Sequence, residues 1–500
     1  MTTLEIHRLH ARYQLGPTAF GSRDRLDGIL ARVAGESLRE ALERHGVGTP
    51  GEICVRSVEA PLRVRLDSSD AAIERGWCDA IAAAIAAAIS EGGANAVAYA
   101  SAAHALRDFA RSVADGDLTR AWAWRQLGLW PSSPSASVSP GEDRRDGTAA
   151  LVHALLAKPE SIVPVLADLG RSGRLERFAR RVESQVWTAL AAAALTAAGA
   201  TDSVLAAVWR ARAASDVEAE VAATAASVSR SSAVSRAAVA AGEGLVVPPR
   251  SRFALAVLAT LEVDPSVALA APARAAALVS AVAERLFELA AGAAAAGVGV
   301  TPPAGVAAES RRPRDKQQEE DAPAPVDEPA EPSRVEAREL ARTHWGGLLF
   351  FLHVLDELRL PKELALSRSQ RPLRWRLHRL ALALVPLEDD DPAALAFAGL
   401  ACENPFAHEA PPTRHELDEA AAVAHRCVER LAERIGRVRD DRTELVSSVC
   451  RRKAEIAFDP GWIDVHLRLD DVDLDLRRAG LDLDPGYVPW LGCVVRFLYE

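Results

Sequence analysis

Three aspartates, Asp471, Asp473 and Asp475, have the odd spacing that opens a calcium-binding loop of the EF-hand type. Such a loop needs Gly at its sixth position for a sharp turn and Glu at its twelfth as a bidentate ligand. This chain has Leu476 and Asp482 at those two positions, and apolar residues alternate with the acids. A β-strand with one wet face explains the pattern better, so we predict no calcium site.

A glycine-rich stretch, residues 46–51, matches the pattern G-x-G-x-x-G of dinucleotide-binding loops. In those loops a strand comes before the glycines and a helix after them, so that the phosphate lies at the helix N-terminus. Here the predicted order is helix, loop and strand, and Pro50 removes a backbone donor. The stretch therefore predicts a turn and no cofactor.

Histidines His344, His353 and His378 lie near apolar helical patterns. Metal-binding helices usually carry histidines three or four residues apart with a nearby acid, as in H-E-x-x-H. These three histidines form no such pair, and the dipeptide His408-Glu409 is followed closely by two prolines. The sequence also has no G-x-x-x-x-G-K phosphate loop and no G-x-S-x-G elbow. We therefore expect no metal ligand, no cofactor-binding residue and no catalytic residue.

The cysteines and tryptophans favour structural roles. No two of the six cysteines are close together, which favours reduced thiols over a disulfide framework or a zinc site: Cys54, Cys78, Cys402, Cys427, Cys450 and Cys493. Trp122, Trp124 and Trp130 end the first helical region, and we expect them to anchor a core; ligand stacking is the alternative. Trp345 precedes the pair Gly346-Gly347, which predicts close packing against another element.

Composition excludes some classes of protein. With 59 Lys and Arg against 69 Asp and Glu, the net charge is −10, which argues against nucleic acid as the main partner. Hydrophobic residues make up 49% of the chain, and heavy Ala usage favours helices. The N-terminus has no apolar signal region, and no stretch is long and apolar enough for a membrane span. We therefore expect a cytoplasmic protein.

The N-terminal segment, residues 1–130, reads as an α+β module with helices. Residues 9–15 alternate like a strand, and residues 24–45 carry a helical stripe. Residues 53–66 predict two short strands or one bent strand broken at Pro61. A helix from about Ser69 is the clearest local signal, because large apolar residues recur at every fourth position: Ile73, Trp77, Ile81, Ile85 and Ile89.

The middle of the chain is predicted to be an Ala-rich helical domain, residues 148–300, between two linkers. Residues 131–147 are rich in Pro, Ser and Gly, which indicates a linker. Residues 301–335 mix Pro with charged residues and have few large apolar ones, so we predict a disordered linker.

The C-terminal segment, residues 336–500, is predicted to be helical and to end in β-strands. Helices are expected over 336–358, over 371–384, after the acidic run that ends at Pro392, and from Thr413. Alternating residues then predict two strands over 463–469 and 472–476, or one strand with a bulge, and a last short strand over 494–499. The predicted fold class is mainly α, with Ala-rich helical bundles and small α+β modules at both ends. As a further hypothesis, the strands of the two ends could join one sheet.

Several segments resemble the tape-measure family of extracellular contractile injection systems, the phage-tail-like particles of bacteria. At the front these are Leu4-Glu-Ile-His-Arg-Leu-His and the apolar-acidic element over 58–67. Further along they are the Gly-Gly-Leu-Leu-Phe-Phe run from Gly346 and residues 395–406, which include Cys402. The closing residues 462–476, Val488-Pro-Trp-Leu491 and Val494-Val-Arg-Phe are similar to the family's last strands and Pro-Trp element.

The resemblance implies a non-catalytic structural or assembly component whose partners are tail tube, baseplate or sheath proteins. A rigid ruler would be one long helix at about 1.5 Å per residue, but Pro and Gly interrupt every predicted helix here. An assembly or baseplate role therefore fits better than an extended tape. A general helical adaptor that binds other proteins is the main alternative, and an enzyme without a recognisable motif is the third.

Overall fold

A computed structural model describes thirteen stretches of the chain: residues 4–6, 8–15, 22–33, 35–47, 51–91, 95–130, 140–211, 219–241, 249–297, 340–366, 371–400, 411–437 and 441–499. They belong to two compact units. Unit 1 comprises residues 1–106, 119–132 and 300–337, and unit 2 comprises residues 107–118, 133–299 and 338–500.

Unit 1 is a small helical body with a two-stranded antiparallel sheet, in which Glu52 pairs with Tyr99 and Val55 with Ala96. Its elements in chain order are α1 (Arg23–Val33), α2 (Glu36–Arg44), β1 (Glu52–Val55), α3 (Asp70–Glu91), β2 (Ala96–Tyr99), the start of α4 (Ala102–Asp115) and α5 (Ala121–Gln126). Helix α4 passes into unit 2 at residue 107.

Helix α3 forms where the four-residue apolar repeat predicts a helix, and Trp77 and Ile81 of that repeat are partly buried. Ile73 is buried with α1, while Cys78 and Ala82 are buried with α2 and the end of α1. The segment 24–45, predicted as one helix, forms two helices, because the first ends at Val33 and the second begins at Glu36. The break lets both short helices lie against the same long one.

Two of the strands expected in unit 1 do not form. Residues 8–15 are irregular, and their alternation reflects Tyr13 and Leu15 packing on the α1–α3 core without a partner strand. Residues 62–66 are also irregular and place Val64 and Leu66 against the same core. The second strand of the unit is instead β2 (Ala96–Tyr99).

The first half of unit 2 is an Ala-rich bundle in which α13 packs on α9 and α14 on α10, α11 and α13. Its helices are α6 (Pro140–Ala157), α7 (Ile162–Arg171), α8 (Leu175–Ala179), α9 (Ser184–Ala197), α10 (Asp202–Arg210), α11 (Ala219–Ser231), α12 (Ala233–Ala241), α13 (Pro249–Val263) and α14 (Pro272–Gly297). Small side chains let these helices approach closely, and Ala also favours the helical backbone. The 3-10 turns Pro159–Ser161 and Pro265–Leu269 connect them at prolines.

The second half of unit 2 is a five-stranded sheet covered by helices. Its elements are β3 (Leu340–Thr343), α15 (Phe351–Glu357), α16 (Leu360–Leu366), α17 (Leu373–Leu384), α18 (Pro392–Phe397), α19 (Arg414–Ile435), α20 (Arg442–Cys450), β4 (Ala454–Asp459), β5 (Trp462–Leu467), α21 (Leu474–Arg478), β6 (Gly486–Val488) and β7 (Cys493–Tyr499). The strand order is β3-β4-β5-β7-β6, and β5 and β7 are the parallel pair.

Several predictions for this half are confirmed. Helix α17 lies where it was expected, and the acidic run before Pro392 ends in Asp391, which caps α18 by accepting from the amide of Ala393. Helix α19 begins after Thr413 with a capping box formed with Glu416. Strands β5 and β7 also form as predicted.

Two predictions for this half are wrong. The segment expected to be a helix over 336–358 contains β3, because pairing with β4 overrides its helical propensity; a 3-10 turn (Gly346–Phe350) and α15 follow. The segment 472–476 was expected to be a strand, but it enters α21 because the carboxylate of Asp473 accepts from the amides of Asp475 and Leu476.

The hypothesis that the two ends share a sheet is wrong for the described residues, because all five strands of the large sheet come from residues 340–499. The domains were predicted as residues 148–300 and 336–500, and of these, residues 148–299 and 338–500 belong to one unit. Helix α6 already begins at Pro140, inside the predicted linker 131–147, and residues 301–335 lie outside the described stretches. The predicted fold class, mainly α with small α+β parts, is confirmed.

Candidate functional site

The centre of the large sheet holds a charged pair between its two parallel strands. Asp464 of β5 and Arg496 of β7 are opposite each other in the register. The guanidinium of Arg496 donates from Nε and Nη2 to the two carboxylate oxygens of Asp464, both at 2.8 Å. Asp464 is fully buried, and the Cζ of the Arg496 guanidinium lies 5.2 Å from the centroid of the Trp462 ring. Such a pair fixes the register of the two strands.

The Pro-Trp element connects the two last strands and lies in the core. Val488 ends β6, and Leu491 and Gly492 donate their amides to its carbonyl, which closes a tight turn. Trp490 is 5% exposed and Leu491 is fully buried. Gly492 has a φ of 70°, and a Cβ there would lie 2.8 Å from Pro265, so a side chain would not fit.

A buried arginine organises the segment that carries the three aspartates. Arg452 donates from Nε to the carbonyl of Asp471 at 3.3 Å and from Nη2 to the carboxylate of Asp473 at 3.5 Å. Asp473 caps α21, and Asp475 forms an ion pair with Arg437 at 3.0 Å. The three carboxylates therefore do not converge on one point as calcium ligands must. The acids were interpreted as one side of a strand, and that interpretation is wrong, because the segment is a turn that leads into the capped helix α21.

The pair Gly346-Gly347 makes the close approach that its sequence predicts. A Cβ at Gly347 would overlap with the carbonyl oxygen of Val449, and one at Gly346 would overlap with the Cβ of Ala454. Neighbouring Phe350 is fully buried and meets Phe497 of β7 edge to face, with ring centroids 5.0 Å apart. The glycines thus let this turn seat on α20 and β4.

The three histidines do not come together as ligands. His378 is fully buried, its Nε2 donates to the carbonyl of Asp389 at 2.8 Å, and its Nδ1 has no partner within the described structure. His353 binds the carbonyl of Leu483 at 2.8 Å. Burial lowers the pKa of both rings. His344 follows β3, and His408-Glu409 lies outside the described residues.

The described cysteines are free and buried: Cys54, Cys78, Cys427, Cys450 and Cys493. Burial raises the pKa of the Cys54 and Cys78 thiols to about 11 and that of Cys427 to about 12, and it raises those of the other two as well. A high pKa removes the thiolate that a nucleophile or a metal ligand needs. Cys402 lies outside the described residues.

Tryptophans of unit 1 pack as anchors. Trp124 is fully buried and Trp130 is 6% exposed; their rings stack with centroids 6.4 Å apart. The guanidinium carbon of Arg125 lies 5.1 Å from the centroid of Trp130. Of the tryptophans named from sequence, Trp122 and Trp345 are partly buried. These contacts fill a core and leave the stacked faces closed to a ligand.

The cavity between α17 and α19 is too small for a substrate. It has a volume of about 20 Å³, which is room for one water molecule, and it is lined by Trp375, Arg376 and Glu419 among others. Arg376 donates to Glu419 at 2.5 Å, and Arg371 stacks over Trp375 at 4.6 Å. The charges of Arg376 and Glu419 are therefore engaged with each other.

Within the described stretches, no group of three or more His, Cys, Asp or Glu side chains is placed to hold a metal ion. No single helix there is long and apolar enough to cross a membrane; one pair, 146–157 with 159–171, meets the length and composition criteria across a 110° bend. No protein-family model matches the chain, and no curated protein or solved structure matches it either.

Sequence reasoning missed the charged residues that hold unit 2 together. Besides Asp464 with Arg496, Arg107 binds Asp459 at 3.0 Å, with both side chains about nine-tenths buried. Arg111 binds the carboxylate of Asp168 twice at 2.8 Å. These partners are far apart in sequence, and only the odd presence of an acid inside an apolar strand, as at Asp464, could have signalled one of them.

Proposed function

We propose that this protein is a non-catalytic structural or assembly component of a contractile injection particle, acting at the tube or baseplate. The observation that carries the proposal is where the family-like residues lie. Residues 462–476, Val488 to Leu491 and Val494 to Phe497 form the parallel pair of the sheet and the connection between its strands. The resemblance therefore rests on residues that determine the fold of unit 2, which supports a shared architecture.

The roles of the reactive side chains support a structural assignment. Asp464 is neutralised by Arg496, Asp473 caps a helix, and the carboxylate of Glu262 accepts from the amides of Ala233 and Val234. The described thiols are buried with raised pKa values. The carboxylate oxygens that could act as a base or a ligand are therefore already engaged in contacts that stabilise the fold, and the thiols are buried.

The helices favour assembly over length measurement. The longest described helix, α14, has 26 residues and spans about 39 Å at about 1.5 Å per residue. The Ala-rich helices α9, α13 and α14 pack on one another inside unit 2 and do not continue one another as a rod. A role at the tube or baseplate fits these dimensions better than that of a tape along a whole tail.

The expected partners are tube, baseplate or sheath proteins, met in the cytoplasm where such particles assemble. A net charge of −10 favours proteins over nucleic acid as partners.

The test of these partners is affinity purification through a tag placed within residues 301–335, followed by mass spectrometry. Recovery of tube, sheath or baseplate proteins supports the proposal. Recovery of unrelated proteins alone would favour the general helical adaptor and would overturn it.

Insertions within residues 301–335 can distinguish a role in assembly from a role in measuring tail length. Helical repeats of increasing length are inserted within residues 301–335, and particle lengths are measured by electron microscopy. An assembly component predicts unchanged lengths. A ruler predicts tails that lengthen by about 1.5 Å for each inserted residue.

A further inference from the structure

The two most exposed large hydrophobic side chains of the described structure lie in one short segment of unit 2. Leu469 is 65% exposed and Leu474 is 67% exposed. They stand at the two ends of a turn between β5 and α21. Single exposed leucines are common on protein surfaces, but two of them five positions apart in one short segment expose apolar area that water disfavours.

This turn is held in place, so the exposure is not that of a loose end. Arg452 binds the carbonyl of Asp471 and the carboxylate of Asp473 from beneath. Asp473 in turn accepts from the amides of Asp475 at 2.8 Å and Leu476 at 3.4 Å. Leu476 is 2% exposed and anchors the far side in the core.

Charges of both signs flank the two leucines. Arg468 and Asp470 are exposed, and Asp471 is partly exposed. Within the described part of the chain, none of these three side chains has an ion-pair partner. We call Arg468, Leu469, Asp470, Asp471 and Leu474 the leucine patch.

We propose that the leucine patch is a two-fold contact through which a second copy of this chain binds. In such a contact the same patch is used by both copies, so it must complement itself. Leu469 and Leu474 of one copy meet those of the other, and Arg468 of each copy faces Asp470 and Asp471 of the other. A purely basic or purely acidic partner would leave one of these charges facing its like, which favours a second copy as the occupant.

The test is sedimentation velocity over a range of protein concentrations with the full chain. The wild type is expected to dimerise, and L469S/L474S to associate at least about a hundredfold more weakly, because each buried leucine contributes roughly a tenfold factor or more. The matched control L366S/L417S removes two leucines that are 51% and 47% exposed elsewhere in unit 2, and it should dimerise like the wild type. Circular dichroism checks that all variants fold.

Charge reversal tests the pairing itself. R468D makes the patch acidic and D470R/D471R makes it basic, so each variant alone should associate more weakly than the wild type. Mixing the two should restore a dimer that contains one copy of each. A wild type that stays monomeric overturns the proposal. The proposal is also overturned if L469S/L474S and the control L366S/L417S associate equally strongly. It is overturned as well if the mixture of R468D and D470R/D471R associates no better than either variant alone.

Discussion

Asp464 and Arg496 face each other across the parallel strands β5 and β7, joined by two hydrogen bonds of 2.8 Å. The aspartate is fully buried, whereas the arginine side chain is 31% exposed. The buried negative charge of Asp464 is therefore compensated by the positive charge of Arg496, which is still partly solvated. Because the two strands lie side by side in this register, the pair links the register to the stability of the sheet.

Replacing Asp464 with Asn is expected to lower the free energy of unfolding by about 3 kcal/mol, because it leaves a half-buried guanidinium without its counter-charge. The double variant D464L/R496L should lose less than the sum of D464L and R496L alone. Chemical denaturation measures all of them. The control is R342Q/E455Q, an exposed cross-strand pair of the same sheet joined at 2.9 Å, for which a change within about 0.5 kcal/mol is expected. Equal losses for the two pairs would contradict this account.

Replacing Gly347 with Ala is expected to destabilise the protein by about 1–3 kcal/mol, because the new methyl group would overlap with the carbonyl of Val449. Gly292, in helix α14, has no atom within 4 Å of an added Cβ. Gly292→Ala should therefore stabilise by about 0.5–1 kcal/mol through helix propensity. Thermal unfolding of the two variants should shift in opposite directions, and a harmless Gly347→Ala would refute the close packing.

Stability is expected to fall as the pH drops below about 6.5, the ordinary histidine pKa. Burial lowers the pKa of His378 and His353 in the folded protein, so the unfolded chain binds protons first as the pH falls. The loss should begin near pH 6.5 and level off below the folded pKa values. Acidic groups such as Glu357 and Glu416, whose pKa values are lowered from 4.5, act at lower pH.

The variant H378Q isolates this effect. A glutamine amide can still donate to the carbonyl of Asp389, which His378 does at 2.8 Å, but it does not titrate. Its melting temperature should fall less than that of the wild type between about pH 7 and about pH 5.5. Identical pH profiles for the two proteins would show that His378 does not cause the loss.

The described cysteines are expected to be inert in the folded protein, because burial raises their thiol pKa values. The measurement uses the variant C402S, which removes the cysteine outside the described residues, and a thiol reagent at pH 8. No label should appear before denaturant is added, and five thiols should react afterwards. Rapid labelling of any one in the native state would indicate a reactive site that this account lacks.

Regular helices could be predicted from sequence where one strong period governs the burial. Helix α3 repeats apolar residues every fourth position, and α19 combines such a repeat with the capping box of Thr413 and Glu416. The glycine pair Gly346-Gly347 was also informative, because only a residue without a Cβ fits there.

The failures came from contacts that no local pattern contains. Strand β3 has the composition of a helix and is extended because β4 pairs with it. Leu474 fitted an alternating strand pattern, yet it is 67% exposed at the start of α21, whose position Asp473 and Arg452 set. The charged pairs of the candidate site were invisible for the same reason, since Arg107 and Asp459 are separated by 352 positions.

The proposed role in particle assembly is tested most directly by electron microscopy of particles from cells in which the gene for this chain is deleted. The account predicts that intact contractile particles disappear and that tube or sheath material accumulates unassembled. Restoring the wild-type chain should restore the particles, and the chain should be found in them by mass spectrometry. Normal numbers of intact particles in the deletion strain would contradict a role in their assembly.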